Sequence, residues 1–260
     1  MTMQEAISSL KARWRAGQTT TNCWLAIPDA LVGEIAARAG FDSLCIDMQH
    51  GLADQAAATR ILQATSGSGV PVMARVPWND PGIIMRMLDA GAAGVIVPLI
   101  NTRQDAEAAV SACRYPPVGS RSYGPIRPGI TEGPGYFAGA NDSLLVFAMI
   151  ETKQALDNLE DILATPGLDG IYIGPADLSL ALGLPPEQDS KREEHQATVK
   201  SIFAAAKRHG KVAGLHCASA EFAAMACGWG ADFVTIVADT LALRQELVRR
   251  VSVYKELAAS

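Results

Sequence analysis

One rhythm runs the length of the chain: a short run of β-branched and other apolar residues, a turn, then an alanine-rich stretch whose apolar residues recur at helical spacing. The strand candidates are residues 22–27, 43–47, 70–76, 94–99, 144–150, 170–173, 212–216 and 233–237. They are almost wholly apolar instead of alternating, the pattern of parallel strands covered on both faces. The helix candidates that follow them are residues 30–39, 55–65, 81–90, 103–113, 153–164, 193–209, 219–229 and 241–259. Asp29, Asp54, Asn79-Asp80-Pro81, Thr102 and Asp239-Thr240 stand where helices would start. Gly40, Gly91, Gly167, Gly210 and Gly230 stand where they would end.

About eight strand–helix units in 260 residues, with no break in composition, predict an α/β fold: a single (β/α)8 TIM barrel over residues 1–260. Residues 1–17 form its N-terminal amphipathic helix, because Met3, Ile7, Leu10 and Trp14 recur at helical spacing. The rival is a doubly wound open sheet, but the first strand runs into Pro28-Asp29-Ala30 with no G-x-G-x-x-G, and there is no Walker loop. Apolar residues make up 49% and charged residues 19%, which excludes a disordered chain. With 22 basic against 27 acidic residues the net charge is −5, which argues against nucleic acid or an anionic membrane as the main partner. No apolar stretch approaches the roughly 18 residues of a membrane span. Glu5, Lys11, Arg13 and Arg15 interrupt what an export signal would keep apolar, so a cytoplasmic protein is expected. Five scattered cysteines without a C-x-x-C pair read as buried reduced thiols.

Two connections are overlong: residues 114–141, holding Arg121, Tyr123, Arg127 and Tyr136, and residues 177–192, with Pro185-Pro186. Both are expected at the face where strands finish, which is where barrel enzymes do their chemistry. Strand two finishes with Asp47, followed by Met48, Gln49 and His50; strand three finishes near Arg75; strand five runs into Glu151; strand six ends in Gly174-Pro175-Ala176-Asp177.

Glu151 and Asp177 come from adjacent strands and aim at one space. Two bare carboxylates repel, and one is driven neutral unless a cation lies between them. A hard divalent ion accepts two carboxylates plus water and substrate oxygens. Each residue alone also reads as a helix N-cap steadied by the helix dipole, but together, beside Arg75 and His50, they favour the metal. His50 follows Asp47, a carboxylate placed to orient the imidazole and raise its basicity. An isolated loop histidine otherwise reads as a surface residue. Arg75 in an apolar strand needs an anionic partner, either Asp47, Asp89 or a substrate anion. His195 and His209 read as solvated, while His216, ending the seventh strand, is a weaker candidate for the site. Lys153 and Lys211 are misplaced for a covalent imine, and the loops after strands seven and eight lack phosphate-holding glycines. A small carboxylate substrate therefore fits better than a sugar phosphate.

The chain resembles the HpcH/HpaI aldolase family of metal-dependent pyruvate aldolases from about Gly17 to the last helix. The segments that carry the likeness are Gly40-Phe41-Asp42 with Ile46-Asp47 and His50; Val76-Pro77-Trp78-Asn79-Asp80-Pro81; Leu88-Asp89-Ala90-Gly91-Ala92; Arg114-Tyr115-Pro116-Pro117; Ile150-Glu151-Thr152; and Gly170-Ile171-Tyr172-Ile173-Gly174-Pro175-Ala176-Asp177-Leu178-Ser179. The resemblance implies Glu151 and Asp177 as metal ligands, His50 as base, and Asp89 as the carboxylate that increases its basicity. It implies Arg75 as the group that stabilises the enolate, and the backbone at Gly174, Ala176 and Asp177 as the seat of the pyruvate carboxylate. Asp47 would support the site from behind, and the barrels would form hexamers that exchange their last helix. Met48 and Gln49 replace the glycine and glutamate common after strand two, and Met149 replaces a glutamine common before the metal glutamate.

The activity implied is reversible aldol cleavage of a 4-hydroxy-2-oxo acid to pyruvate or hydroxypyruvate and an aldehyde, with Mg²⁺, Mn²⁺ or Co²⁺ as cofactor. An acyl-CoA carbon–carbon lyase of the citryl- or malyl-CoA type is the alternative; Arg121 and Arg127 would have to meet the CoA phosphates. A phosphoenolpyruvate mutase-like isomerase is disfavoured by the missing phosphate loop. A barrel kept only as a scaffold would have diluted the charged strand ends.

Overall fold

The computed structural model describes residues 2–259. Its eight strands are β1 (Thr20–Leu25), β2 (Ser43–Asp47), β3 (Val72–Arg75), β4 (Gly94–Val97), β5 (Leu145–Ile150), β6 (Gly170–Ile173), β7 (Val212–His216) and β8 (Phe233–Ala238). Each pairs in parallel with the next, and β8 returns to β1, so the sheet closes on itself. The helices up to the fifth strand are α1 (Met3–Arg15), α2 (Ala30–Ala37), α3 (Gln55–Ala64), α4 (Pro81–Asp89), α5 (Arg103–Cys113), α6 (Ile126–Thr131) and α7 (Tyr136–Ser143). Those beyond it are α8 (Lys153–Asp157), α9 (Leu159–Leu163), α10 (Pro175–Ala181), α11 (Glu193–Arg208), α12 (Ala220–Gly228) and α13 (Asp239–Ala258).

The apolar strands serve two cores because successive side chains point to opposite faces. Leu44 and Ile46 face out and join Ile61, Leu88, Val146 and Ile202 beneath the helices. Cys45 between them faces in, with Trp24, Met73, Phe147, Tyr172 and Phe233 inside the barrel. Ile7, Leu10 and Trp14 of α1 belong to that inner cluster. Trp14 sets its ring edge-on to Phe147 at 6.0 Å and to Phe233 at 6.1 Å. The amphipathic N-terminal helix is therefore the plug that closes the barrel floor. Four of the five cysteines are buried and all five are free, as expected.

The caps read from the sequence largely hold. The carboxylates of Asp29, Asp54 and Asp80 and the hydroxyl of Thr102 accept from first-turn amides of the helices they precede. Asp239 does something else: its carboxylate accepts from the amides of Ala26 and Ile27 at 3.0 Å each, tying β8 to the end of β1 where the barrel closes. The helix expected over residues 153–164 is split into α8 and α9 at Asn158, whose side-chain amide turns to donate to the Asn101 carbonyl at 2.8 Å.

Two expectations are corrected. The connection over residues 114–141 lies at the floor and not the mouth, because it follows a helix, α5, that has already run down the outside of the barrel. It is pinned there: Arg127 donates to the carbonyls of Leu62 and Ala90, and Glu132 accepts from the Met3 and Gln4 amides at the start of α1. The connection over residues 177–192 does follow a strand, β6, and lies at the mouth. His195 is not solvated but buried, with Nε2 at 3.1 Å from the Pro175 carbonyl. Since a carbonyl can only accept, Nε2 carries the proton. Burial pushes this imidazole below its ordinary value. The bond fixes the start of α10, the helix that carries Asp177.

Candidate active site

The mouth of the barrel gathers charge at the ends of strands whose lower halves are apolar. Asp47 and Arg75, paired in register on β2 and β3, form a two-pronged ion pair: Nε donates to Oδ1 at 2.9 Å and Nη2 to Oδ2 at 2.6 Å. Both side chains are nearly buried, 5% and 11% exposed, so the pair holds its fork geometry against water. The guanidinium also lies over the Trp24 ring, 5.0 Å from its centroid. Burial alone would raise the Asp47 carboxyl, but Arg75, the Trp24 indole and the His50 amide hold it below the ordinary carboxylate range. Nη1 of Arg75 has no hydrogen-bond partner among the described residues, so one prong of the cation remains available.

Asp47 shapes the loop that follows it. Its Oδ1 accepts from the backbone amides of Gln49 at 3.1 Å and His50 at 3.2 Å. Asp47 thus positions His50 through the backbone, and the imidazole itself sits exposed on the β2–α3 connection. Gly51 makes the tight turn possible: a Cβ there would collide with the Asp47 carbonyl and approach Ala26 Cα to 3.1 Å.

Glu151 follows β5 and is buried at 2% exposure. Its Oε1 accepts from the Leu99 amide at 2.9 Å. Leu99, just past β4, presents that amide from a left-handed backbone with φ of 54°, a conformation leucine rarely adopts. Oε2 faces Gly174, where a Cβ would strike it. Burial lifts the Glu151 carboxyl to about 7; the Leu99 amide and Arg75 oppose this, and the charge of Asp177 adds to it. The field of Asp177 therefore reaches Glu151, as does that of Arg75. Asp177 is exposed in the first turn of α10. The amides of Ala176 and Asp177, beside it, find no acceptor among the described residues, as at any helix start.

This donor set suits a hard divalent ion. One carboxyl is pushed up by burial and a like charge that a cation would relieve, a second faces solvent, and the glycine between them leaves the room a side chain would fill. Among the described residues no cluster of three or more His, Cys, Asp or Glu side chains is poised around one point. An ion here would therefore rest on two carboxylates and leave its other positions to water and substrate.

Asp89, expected beside His50, is the last residue of α4, which starts at the mouth and runs about 13 Å toward the floor. There it accepts from Arg121 Nη2 at 2.6 Å. The structure brings Asp47, Arg75, Glu151, Gly174, Ala176 and Asp177 to one end of the barrel, with His50 on its rim, and leaves Asp89 at the other.

Three side chains of this mouth carried little or no weight in the sequence. Trp24, next to last in β1, lies beneath Arg75, and Tyr172 of β6 stacks on it at 5.4 Å and 13°. His216 meets the same indole edge-on at 4.9 Å. The sequence signal for all three is a polar or aromatic group at an inward position near a strand end.

A family model, described as HpcH/HpaI aldolase/citrate lyase, matches residues 20–245. A hydroxypyruvate/pyruvate aldolase of Rhizorhabdus wittichii is 39% identical over 245 residues, covering 94% of this chain and 97% of that one. A 5-keto-4-deoxy-D-glucarate aldolase of Klebsiella pneumoniae is 36% identical, covering 96% and 97%. Among solved structures, a HpcH/HpaI aldolase/citrate lyase family protein of Burkholderia cenocepacia superposes with a TM-score of 0.86 at 29% identity, covering 95% of this chain and 99% of that one.

Proposed function

The chain belongs to the HpcH/HpaI aldolase/citrate lyase family and is a carbon–carbon lyase; from that premise we propose that it cleaves a 4-hydroxy-2-oxo acid, reversibly, to pyruvate or hydroxypyruvate and an aldehyde. The observation that carries this reading is the buried Glu151 carboxylate, held by the Leu99 amide with its second oxygen against Gly174, where α10 brings Asp177 to the same end of the barrel. Glu151 and Asp177 would hold Mg²⁺, Mn²⁺ or Co²⁺. The ion supplies, when bound, a Lewis acid for the charge that develops on a ketone oxygen.

The chain's own groups do the rest. Arg75, locked by Asp47 and with one prong unspent, sets a second positive charge where the enolate forms, in a site shielded from water. His50 takes the proton of the 4-hydroxyl in cleavage and that of C3 in synthesis. The unpaired amides of Ala176 and Asp177 meet the substrate carboxylate, and Gly174 before them keeps the approach open. Asp47 is a positioning residue for both Arg75 and His50.

An acyl-CoA substrate finds less support. Arg121 is spent on Asp89 and Tyr136, and Arg127 on two backbone carbonyls, all at the floor. No helix among the described residues is long and apolar enough to cross a membrane. We further propose a homo-oligomer, with a hexamer as its form. Along α13, Leu243, Leu247, Val248, Val251 and Tyr254 are all more than half exposed, an apolar face suited to a second copy of the chain.

The test is turnover of pyruvate or hydroxypyruvate with an aldehyde, before and after stripping divalent ions. Chelation is expected to abolish activity, and Mg²⁺, Mn²⁺ or Co²⁺ to restore it. Undiminished aldol turnover by metal-free protein would end the reading.

A further inference from the structure

His216 lies in the mouth without a part in the chemistry above. Its ring stands edge-on to Trp24, and Trp24 lies under Arg75, so the three form one continuous wall. On the barrel side, Nδ1 is 3.4 Å from Tyr172 Oη, which is 2.5 Å from Thr235 Oγ1. Asn22 Nδ2 donates to the same threonine oxygen at 2.9 Å, and Asn22 Oδ1 accepts from Ser43 Oγ at 3.2 Å.

Protons can be counted along this chain. Thr235 is fully buried, and its hydroxyl meets only Asn22 and Tyr172 among the described residues. Asn22 is already a donor to it, so the threonine proton has one acceptor, Tyr172 Oη; any other orientation strands a buried O–H. The tyrosine proton then goes to His216 Nδ1, and the imidazole keeps its own proton on Nε2. Burial pushes this imidazole down to about 4, the charge of Arg75 adds to that, and Asp47 opposes it. The ring is thus a neutral N–H donor at working pH, and Nε2 has no hydrogen-bond partner among the described residues.

We propose, resting on the aldolase reading of the same site, that His216 is the specificity-determining residue for the third carbon of the donor. Its Nε2–H bonds the hydroxyl of a 3-hydroxy-2-oxo acid and favours hydroxypyruvate over pyruvate. A 2-oxo acid held by its carboxylate and ketone between Asp177, Glu151 and Arg75 turns its third carbon toward the wall of Trp24 and His216. A neutral donor suits an uncharged hydroxyl there, and it adds no charge next to Arg75. Tyr172 is a positioning residue that fixes the tautomer.

The experiment compares kcat/KM for hydroxypyruvate and for pyruvate with one aldehyde, glycolaldehyde, in the metal-loaded enzyme. His216→Leu should lower the hydroxypyruvate-to-pyruvate ratio about tenfold, the worth of one neutral hydrogen bond, mainly through KM for hydroxypyruvate. His216→Gln, which keeps an N–H donor, should recover part of the ratio. Tyr172→Phe should lower it about threefold, since Nε2 is no longer fixed as the donor. Equal losses on both donors, or an unchanged ratio in His216→Leu, would overturn the assignment. A wild-type enzyme that turns over neither donor would instead overturn the aldolase reading, and this inference with it.

Discussion

The barrel holds two arginines of nearly the same description at its opposite ends. Arg75 at the mouth pairs with Asp47 and lies over Trp24; Arg121 at the floor pairs with Asp89 and lies over Tyr115, 4.5 Å from its centroid. The difference is in whether anything can reach the donor each leaves unpaired, for Arg121 Nε also lacks a partner but is buried. Arg121 is sealed at 0% side-chain exposure, with Nη1 committed to Tyr136 at 3.1 Å, and it locks the 114–141 connection to the end of α4. Arg75 is 11% exposed, has a free prong toward the mouth, and its charge reaches Glu151. The same ion pair is a clasp where protein closes over it and keeps a donor to offer where a gap remains.

Substituting the two arginines is the sharpest way to break that comparison. Arg75→Met should cost about 10²–10³ in kcat, the usual loss for one stabiliser of developing negative charge. Arg121→Met should cost about 3 kcal/mol of stability, because it strands a partly buried Asp89 and loosens the floor. Protein still folded at low temperature should retain its kcat. Steady-state kinetics paired with denaturant titrations would separate the two. If Arg121→Met loses kcat while Arg75→Met keeps it, the roles assigned to mouth and floor are reversed.

How much of this was legible in the chain follows the same division. The barrel could be read because apolar runs and helix caps are local, and eight of them close. Asp47, Arg75, Glu151 and Asp177 could be read because strand ends converge by topology alone. Asp89 could not: its partner Arg121 lies 32 residues away in a connection with no periodic pattern. One signal was present, since a segment that follows a helix and precedes a strand must lie at the floor. His195 also had a signal, for it continues the buried stripe of Val199, Ile202 and Phe203 at helical spacing. The setting of His216 draws on four other strands, and no spacing in the sequence encodes it.

Within the mouth, burial acts on two carboxyls with opposite outcomes, and pH exposes it. Glu151 is lifted from 4.5 to about 7, so between those values the folded protein holds a proton that the unfolded chain has released. Its contribution to stability is intact below 4.5 and is lost as pH rises through 7, by on the order of 3 kcal/mol in metal-free protein. Glu151→Gln should flatten that decline and leave the metal-free variant more stable than wild type at pH 8. Asp47 runs the other way: its stabilising pairing is present above the ordinary carboxylate range and fades only as pH falls below it. Urea titrations from about pH 2.5 to 8 in the presence of chelator would read both. An equal slope in wild type and Glu151→Gln would remove Glu151 from its assigned environment.

The smallest expected effects come from two glycines, one at each end, that lie against a charged side chain. At Gly174 a Cβ would strike Glu151 Oε2 and come within 3.1 Å of Met149 Cε. Gly174→Ala should therefore displace the carboxylate and weaken divalent-ion affinity about tenfold, the scale on which neighbouring groups tune a metal ligand. Stability should change little, since the backbone there needs no left-handed conformation. At Gly91 a Cβ would lie 2.5 Å from Arg127 Nη1, and φ is 96°. Gly91→Ala should cost about 1 kcal/mol in stability, through backbone strain and the loosened Arg127, with metal affinity unchanged. Calorimetric titration of Mn²⁺ into both variants, alongside their melting curves, makes the contrast quantitative. An Ala at Gly91 that weakened the ion as much as one at Gly174 would mean that floor and mouth are mechanically coupled through the barrel, and the division of labour between the two arginines would no longer hold.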